Sequence, residues 1–122
     1  MKVLIVDDDE NISAVFETAL QKAGLETVFA LNGKSGLDKA RTEQPNLILL
    51  DQVLPDISGN EVLRTLKADS HTQNIPVLIL SNFSQEELVK EAIDSGAMDY
   101  IFKYQVEPQD LVNKVKQALR IQ

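Results

Sequence analysis

The sequence predicts an α/β domain in which five parallel strands alternate with five helices, (βα)5, wound on both faces of one sheet. Three observations predict it. Short runs rich in Val, Ile and Leu recur at Val3–Val6, Asn46–Leu50, Pro76–Leu80 and Tyr100–Phe102 with little alternation, which suits strands buried on both faces. Amphipathic helical patterns separate consecutive runs, and the connections are short. The length, 122 residues, suits one domain with a real core, so residues 1–122 read as a single unit with no output domain after the last helix.

Each element has its own signal. Val3–Val6 is the first strand. Glu10–Ala23 follows as a helix, with Ile12, Val15, Phe16, Ala19 and Leu20 at helical spacing and Gly24 as a stop. Leu25–Ala30 mixes Glu26 and Thr27 with Val28 and Phe29, as a half-exposed edge strand does. Asn32 can cap a second helix running to about Gln44, although Gly33 and Gly36 weaken it. After Asn46–Leu50, Ser58 and Glu61 have capping-box spacing for a third helix. After Pro76–Leu80, Ser84 and Glu87 repeat that spacing for a fourth, which carries Leu88, Val89, Ala92 and Ile93 and stops at Gly96. Past Tyr100–Phe102, Pro108 suits the first turn of a fifth helix with Leu111, Val112, Val115 and Leu119 on one face.

Composition narrows the function. The formal charge of −7, from 19 acids and 12 bases, argues against a nucleic-acid footprint. The absence of cysteine excludes disulfides and thiolate metal sites. Met1–Asp7 lacks a signal-peptide layout and no run is long enough to span a membrane, so a cytoplasmic protein is expected.

The polar residues at the strand ends carry the chemistry. The first strand ends in Asp7-Asp8-Asp9, the third in Asp51, the fourth in Ser81 and the fifth in Lys103. In a parallel sheet these ends share one edge, where ligands bind at the switch in strand order. In the order 2-1-3-4-5, strands 1 and 3 are neighbours roughly 4.8 Å apart. Asp7, Asp8 and Asp51 then share one pocket flanked by Ser81 and Lys103. Three carboxylates repel unless a cation or proton intervenes, and a hard divalent cation with oxygen ligands is the natural answer. Such an ion could neutralise a phosphoryl group approaching a carboxylate, while a lysine and a hydroxyl bind its other oxygens. Asp51 alone ends the central strand and is the candidate nucleophile. Taken singly, each piece has a plainer meaning: an acidic run opens many helices, and a strand-end Asp is often a cap. The combination points to a site.

With these residues in view, the sequence resembles the response-regulator receiver family, in the manner of a single-domain, chemotaxis-type receiver. The resemblance covers essentially the whole chain. It is carried by Val3–Asp8, by Leu49–Gly59, by Ile79-Leu80-Ser81 and by Gly96–Lys103. It implies a flavodoxin-like fold, and the order 2-1-3-4-5 is the family's own. It also implies roles: Asp51 as phosphoacceptor, Asp8 and Asp51 as direct Mg²⁺ (or Mn²⁺) ligands, Asp7 acting through water and the Val53 backbone carbonyl as a further ligand. Lys103 would pair with a phosphate oxygen. Ser81 would move to the phosphoryl group and Tyr100 would rotate inward behind it. The implied donor is a phosphohistidine on a sensor histidine kinase or phosphotransfer protein. The implied readout is the face of the fourth helix, last strand and fifth helix, about residues 84–122, which would bind a downstream effector protein. The protein would be a signalling switch rather than an enzyme, with no direct nucleic-acid or membrane contact, and a monomer or weak dimer. His71 is expected on the surface at the opposite edge.

The sequence departs from the family at several points. Tyr104 replaces the proline that usually follows the lysine, so that loop should differ and hold Lys103 less rigidly. Asn82 is larger than the usual residue after the Ser/Thr, and Gln52 replaces a common apolar residue. Apolar Val53 and Phe83, at positions that tune the attacking water, should make hydrolysis slow. Rival readings are a phosphorylation-independent interaction module, favoured by Tyr104 and Asn82, and a haloacid-dehalogenase-like phosphatase, whose D-x-D would be Asp7 and Asp9. A flavin carrier fails because its phosphate loop would be the acidic Asp7–Glu10.

Overall fold

The computed structural model describes residues 1–82 and 86–121. The element order is β1 (Lys2–Val6), α1 (Glu10–Lys22), β2 (Glu26–Ala30), α2 (Gly33–Glu43), β3 (Leu47–Asp51), α3 (Gly59–Ala68), β4 (Val77–Ser81), α4 (Glu86–Asp94), β5 (Asp99–Phe102) and α5 (Pro108–Leu119). The strands form one parallel sheet in the order β2-β1-β3-β4-β5.

The unbroken apolar runs are explained by a core on each face, because successive strand residues point to opposite sides. Leu4, Val6, Ile48, Leu50, Val77 and Ile79 pack against Val62, Leu63 and Leu66 of α3 and Ala92 of α4. Val3, Ile5, Leu47, Leu49, Leu78 and Leu80 pack against Phe16 and Leu20 of α1 and Leu111, Val112 and Val115 of α5. β2, at the edge, is only partly covered, as its mixed composition predicts.

Local signals place the helix ends. Asp9 caps α1, Asn32 caps α2 by accepting from the Ser35 amide, and Ser58 caps α3 by accepting from the Glu61 amide. Pro108 lies in the first turn of α5. Gly24 and Gly96 adopt positive φ after α1 and α4, a conformation that costs glycine little. The two glycines that weaken α2 on propensity sit in close packing: a Cβ on Gly33 would crowd the Ile57 side chain and one on Gly36 the Val6 side chain, so those side chains would have to shift.

All five strands sit one residue off their expected bounds at one end or both: β1 begins at Lys2 and β2 at Glu26. β3 ends on Asp51 and β4 on Ser81, while β5 begins at Asp99. Pro76 has no N–H to give the ladder, so β4 starts after it, although its carbonyl still accepts from the Ile48 amide at 3.0 Å. The shift matters, because Asp51 and Ser81 are held by the sheet itself. The expected Ser84 cap of α4 and the Phe83 position lie outside the described residues.

Candidate functional site

The parallel register brings the strand ends together. Val6 pairs with Leu50, Asp51 with Leu80, and Ser81 with Phe102, so Asp7, Asp51, Ser81 and Lys103 emerge on one edge. Backbone bonds continue the ladder past the strands: the Asp7 amide donates to Ala30 O at 3.0 Å and the Lys103 amide to Ser81 O at 2.8 Å.

Asp7, Asp51, Ser81 and Lys103 are all buried at this edge. The Lys103 ammonium meets Asp7 Oδ2 at 2.8 Å and donates to Asp7 Oδ1 at 2.9 Å. Its contact with Asp51 Oδ2 is longer, 3.5 Å. Asp7 Oδ1 also accepts the Asp9 amide at 2.9 Å. Asp8 is exposed, yet one carboxylate oxygen from each of Asp7, Asp8 and Asp51 lies within 4.8 Å of the others.

The electrostatics follow from burial and from crowded negative charge. Burial first, then the Asp7 charge, push the Asp51 carboxyl up to about 7, against the pull of Lys103 and the Val53 amide. Burial alone would lower the Lys103 ammonium, but Asp7 and Asp51 outweigh it and hold it above its usual value. One ammonium therefore faces three clustered carboxylates. An all-oxygen donor set with surplus negative charge fits a hard divalent cation such as Mg²⁺.

Ser81 is fully buried at the end of β4. Tyr100, one strand over, is also buried, its ring edge-on to Phe102 with centroids 5.8 Å apart. Burial raises its phenol, the Ser81 hydroxyl opposes that rise and the Asp51 charge adds to it, so these three side chains form one electrostatic neighbourhood. Val53 stands exposed in the loop after Asp51. That loop folds back tightly: the Gly59 amide donates to Gln52 O at 2.8 Å, and a Cβ on Gly59 would collide with the Asp51 carbonyl oxygen.

The expected effects of the sequence departures separate here. Lys103, next to Tyr104, has its amide and ammonium both bonded and its side chain buried. Asn82 is exposed, and Gln52 is buried. Asp9 caps α1 and accepts from the Tyr104 hydroxyl at 3.0 Å, which occupies the second acid of the D-x-D pattern. His71 is exposed and leans on Asp69 at 3.1 Å, away from the site.

Sequence reasoning missed two ties. One is the Tyr104–Asp9 bond. The other is Asp56, whose carboxylate accepts the Gly33 amide at 2.7 Å and the Lys34 amide at 2.9 Å, fastening the start of α2 to the β3–α3 loop. Both join residues far apart in the chain, and only the Asp56 tie has a local clue, an acid two residues before a helix cap.

Comparison with known proteins agrees with this geometry. Residues 3–116 match the model for the response regulator receiver domain. The chain is 38% identical over 118 residues to the phosphate regulon transcriptional regulatory protein PhoB of Pseudomonas aeruginosa, covering 97% of this chain and 51% of PhoB. It is 38% identical over 120 residues to the DNA-binding dual master transcriptional regulator RpaA of Synechocystis, covering 98% and 49%. The chain thus spans about half the length of these relatives. Among solved structures, a CheY-like receiver domain protein from Methanospirillum hungatei superposes with a TM-score of 0.91 at 32% identity, covering 98% of this chain and 93% of that one. The receiver domain of DrrB, activated with BeF3, gives a TM-score of 0.87 at 32% identity, covering 98% and 97%. No helix among the described residues is long and apolar enough to cross a membrane. Strand order, the acidic edge and the match over residues 3–116 lead to one assignment: the chain belongs to the response regulator receiver domain family, whose members act as signalling switches in two-component systems.

Proposed function

We propose that this chain receives a phosphoryl group on Asp51 from a phosphohistidine of a sensor histidine kinase or a phosphotransfer protein. The observation that supports this reading is the meeting of Asp51 Oδ2 with the Lys103 ammonium at 3.5 Å, beside carboxylate oxygens of Asp7 and Asp8 within 4.8 Å. In the transfer, an Asp51 oxygen bonds to phosphorus as the phosphorus–nitrogen bond of the donor breaks. The imidazole nitrogen keeps that electron pair. Asp8 and Asp51 would hold Mg²⁺ or Mn²⁺ directly, Asp7 through water, with the Val53 carbonyl as a further ligand. The bound ion supplies positive charge against the carboxylates and the phosphoryl oxygens.

The chain's own residues do the rest. Lys103, already charged and buried, offers its ammonium to a phosphoryl oxygen. The Ser81 hydroxyl turns to another oxygen, and Tyr100 packs behind it, which biases two arrangements of the face built by α4, β5 and α5. A groove lined by Tyr100, Phe102, Val106 and Lys114 runs along that face and would meet a downstream effector. Only self-catalysed phosphorylation and dephosphorylation are involved, in a cytoplasmic monomer or weak dimer. With its charge of −7, the chain itself makes no direct contact with nucleic acid.

The test is incubation with a small phosphodonor and Mg²⁺ followed by intact mass. One added phosphoryl group is expected, absent without metal and absent in Asp51→Asn. Phosphorylation that persists in Asp51→Asn would refute the assignment.

A further inference from the structure

The two loops that carry the site are tied together at its rim as well as inside it. The Tyr104 hydroxyl, from the β5–α5 loop, donates to Asp9 Oδ2 at 3.0 Å across 95 residues of sequence. Asp9 is itself anchored: Oδ1 accepts the Asn11 amide at 3.2 Å and the Ile12 amide at 3.3 Å, and its own amide donates to Asp7 Oδ1. That same Asp7 oxygen takes the Lys103 ammonium, and Lys103 is bonded in the chain to Tyr104. The contacts therefore close on themselves, from Lys103 to Asp7, to Asp9, to Tyr104 and back. Tyr104 is 65% exposed, so core burial does not account for its place.

Asp8 lies between Asp7 and Asp9 and is exposed. The position of its carboxylate depends on how firmly those two neighbours are fixed. We infer that Tyr104 is a positioning residue for the cation site: its bond to Asp9 clasps the β5–α5 loop to the start of α1 and keeps Asp8 within reach of Asp7 and Asp51. This rests on the proposed reading of the pocket as a divalent-cation site. Without the clasp, the cation must order the loop as it binds, and affinity falls.

The test is a double-mutant cycle on the whole chain, with Mg²⁺ binding measured by calorimetry for wild type, Tyr104→Phe, Asp9→Ser and the double variant. Asp9→Ser keeps an oxygen for the α1 cap and removes the group that faces the tyrosine. Tyr104→Phe should weaken Mg²⁺ binding about three- to tenfold and speed amide exchange at Ile12 in the metal-free protein. The cost falls on the Mg²⁺ concentration needed more than on the rate once the cation saturates. In the Asp9→Ser background the same change should cost less than about twofold, because the tyrosine's partner is already gone. Equal Mg²⁺ affinity in wild type and Tyr104→Phe, or an equal loss in both backgrounds, would overturn the clasp. A wild type that binds Mg²⁺ and takes the phosphoryl group while Tyr104→Phe is indifferent sinks the clasp alone. A wild type that does neither sinks the proposed function with it.

Discussion

Two aspartates at opposite ends of the sheet have the same side chain and opposite character. Asp69, after α3, accepts the His71 amide at 2.9 Å, the Arg41 guanidinium at 2.8 Å and the His71 ring at 3.1 Å. The amide first, then Arg41 and the ring, hold its carboxyl down to about 2. Asp51 is buried beside another carboxylate, with its lysine at 3.5 Å and closer to Asp7, and it rises to about 7. A carboxylate whose lone pairs are filled by donors is a structural clip. One that is buried and short of positive charge is poised to take up a cation or a new bond.

The largest effect should come from exchanging each for asparagine. Asp51→Asn should abolish phosphoryl uptake as read by intact mass, while Asp69→Asn leaves it intact; equal loss in both would erase the distinction. Next in size is the loss of each aspartate's cation. Lys103→Ala leaves two buried carboxylates facing each other and should cost roughly 3 kcal/mol in urea unfolding of the metal-free protein. Arg41→Ala, at an exposed pair, should cost under about 1 kcal/mol.

The pH dependence should differ in sign. Asp51 holds a proton in the folded state that the unfolded chain releases near 3.8, so metal-free stability is highest below that value, declines as pH rises and levels off above about 7. The decline should be on the order of 4 kcal/mol. It should vanish in Asp51→Asn and shrink when Mg²⁺ is added. Asp69 acts the other way: its contribution is present above 3.8 and is lost as pH falls toward about 2. Urea midpoints of wild type, Asp51→Asn and Asp69→Asn across pH 2–8 would show two slopes of opposite sign. The smallest effect should be that of His71→Ala, which removes only an exposed ring contact and should shift the midpoint by less than about 0.5 kcal/mol.

Much of this contrast was legible in the residues. The apolar runs, the caps at Asn32 and Ser58 and the stops at Gly24 and Gly96 are local signals, and each marks its element to within a residue or two. The acids, serine and lysine at strand ends were legible for the same reason, since a strand end is a local feature. The glycines of α2 were misleading, because propensity counts their backbone cost while a Cβ at either position would crowd Ile57 or Val6. The pKa of Asp51 was not legible at all. It depends on burial and on the distances to Asp7 and Lys103, which nothing near Asp51 in the chain records.

The order of polar and apolar residues by itself determined the alternation of strands and helices, the parallel sheet and the set of side chains delivered to its edge. Periodicity and capping act over a few residues, so they survive in one dimension. Only the tertiary structure decided that Lys103 leans on Asp7 more closely than on Asp51, that Tyr104 reaches Asp9 and that Asp56 fastens α2. Those choices are set by ångström differences between chain segments brought together by the crossovers, and such distances have no imprint in local sequence.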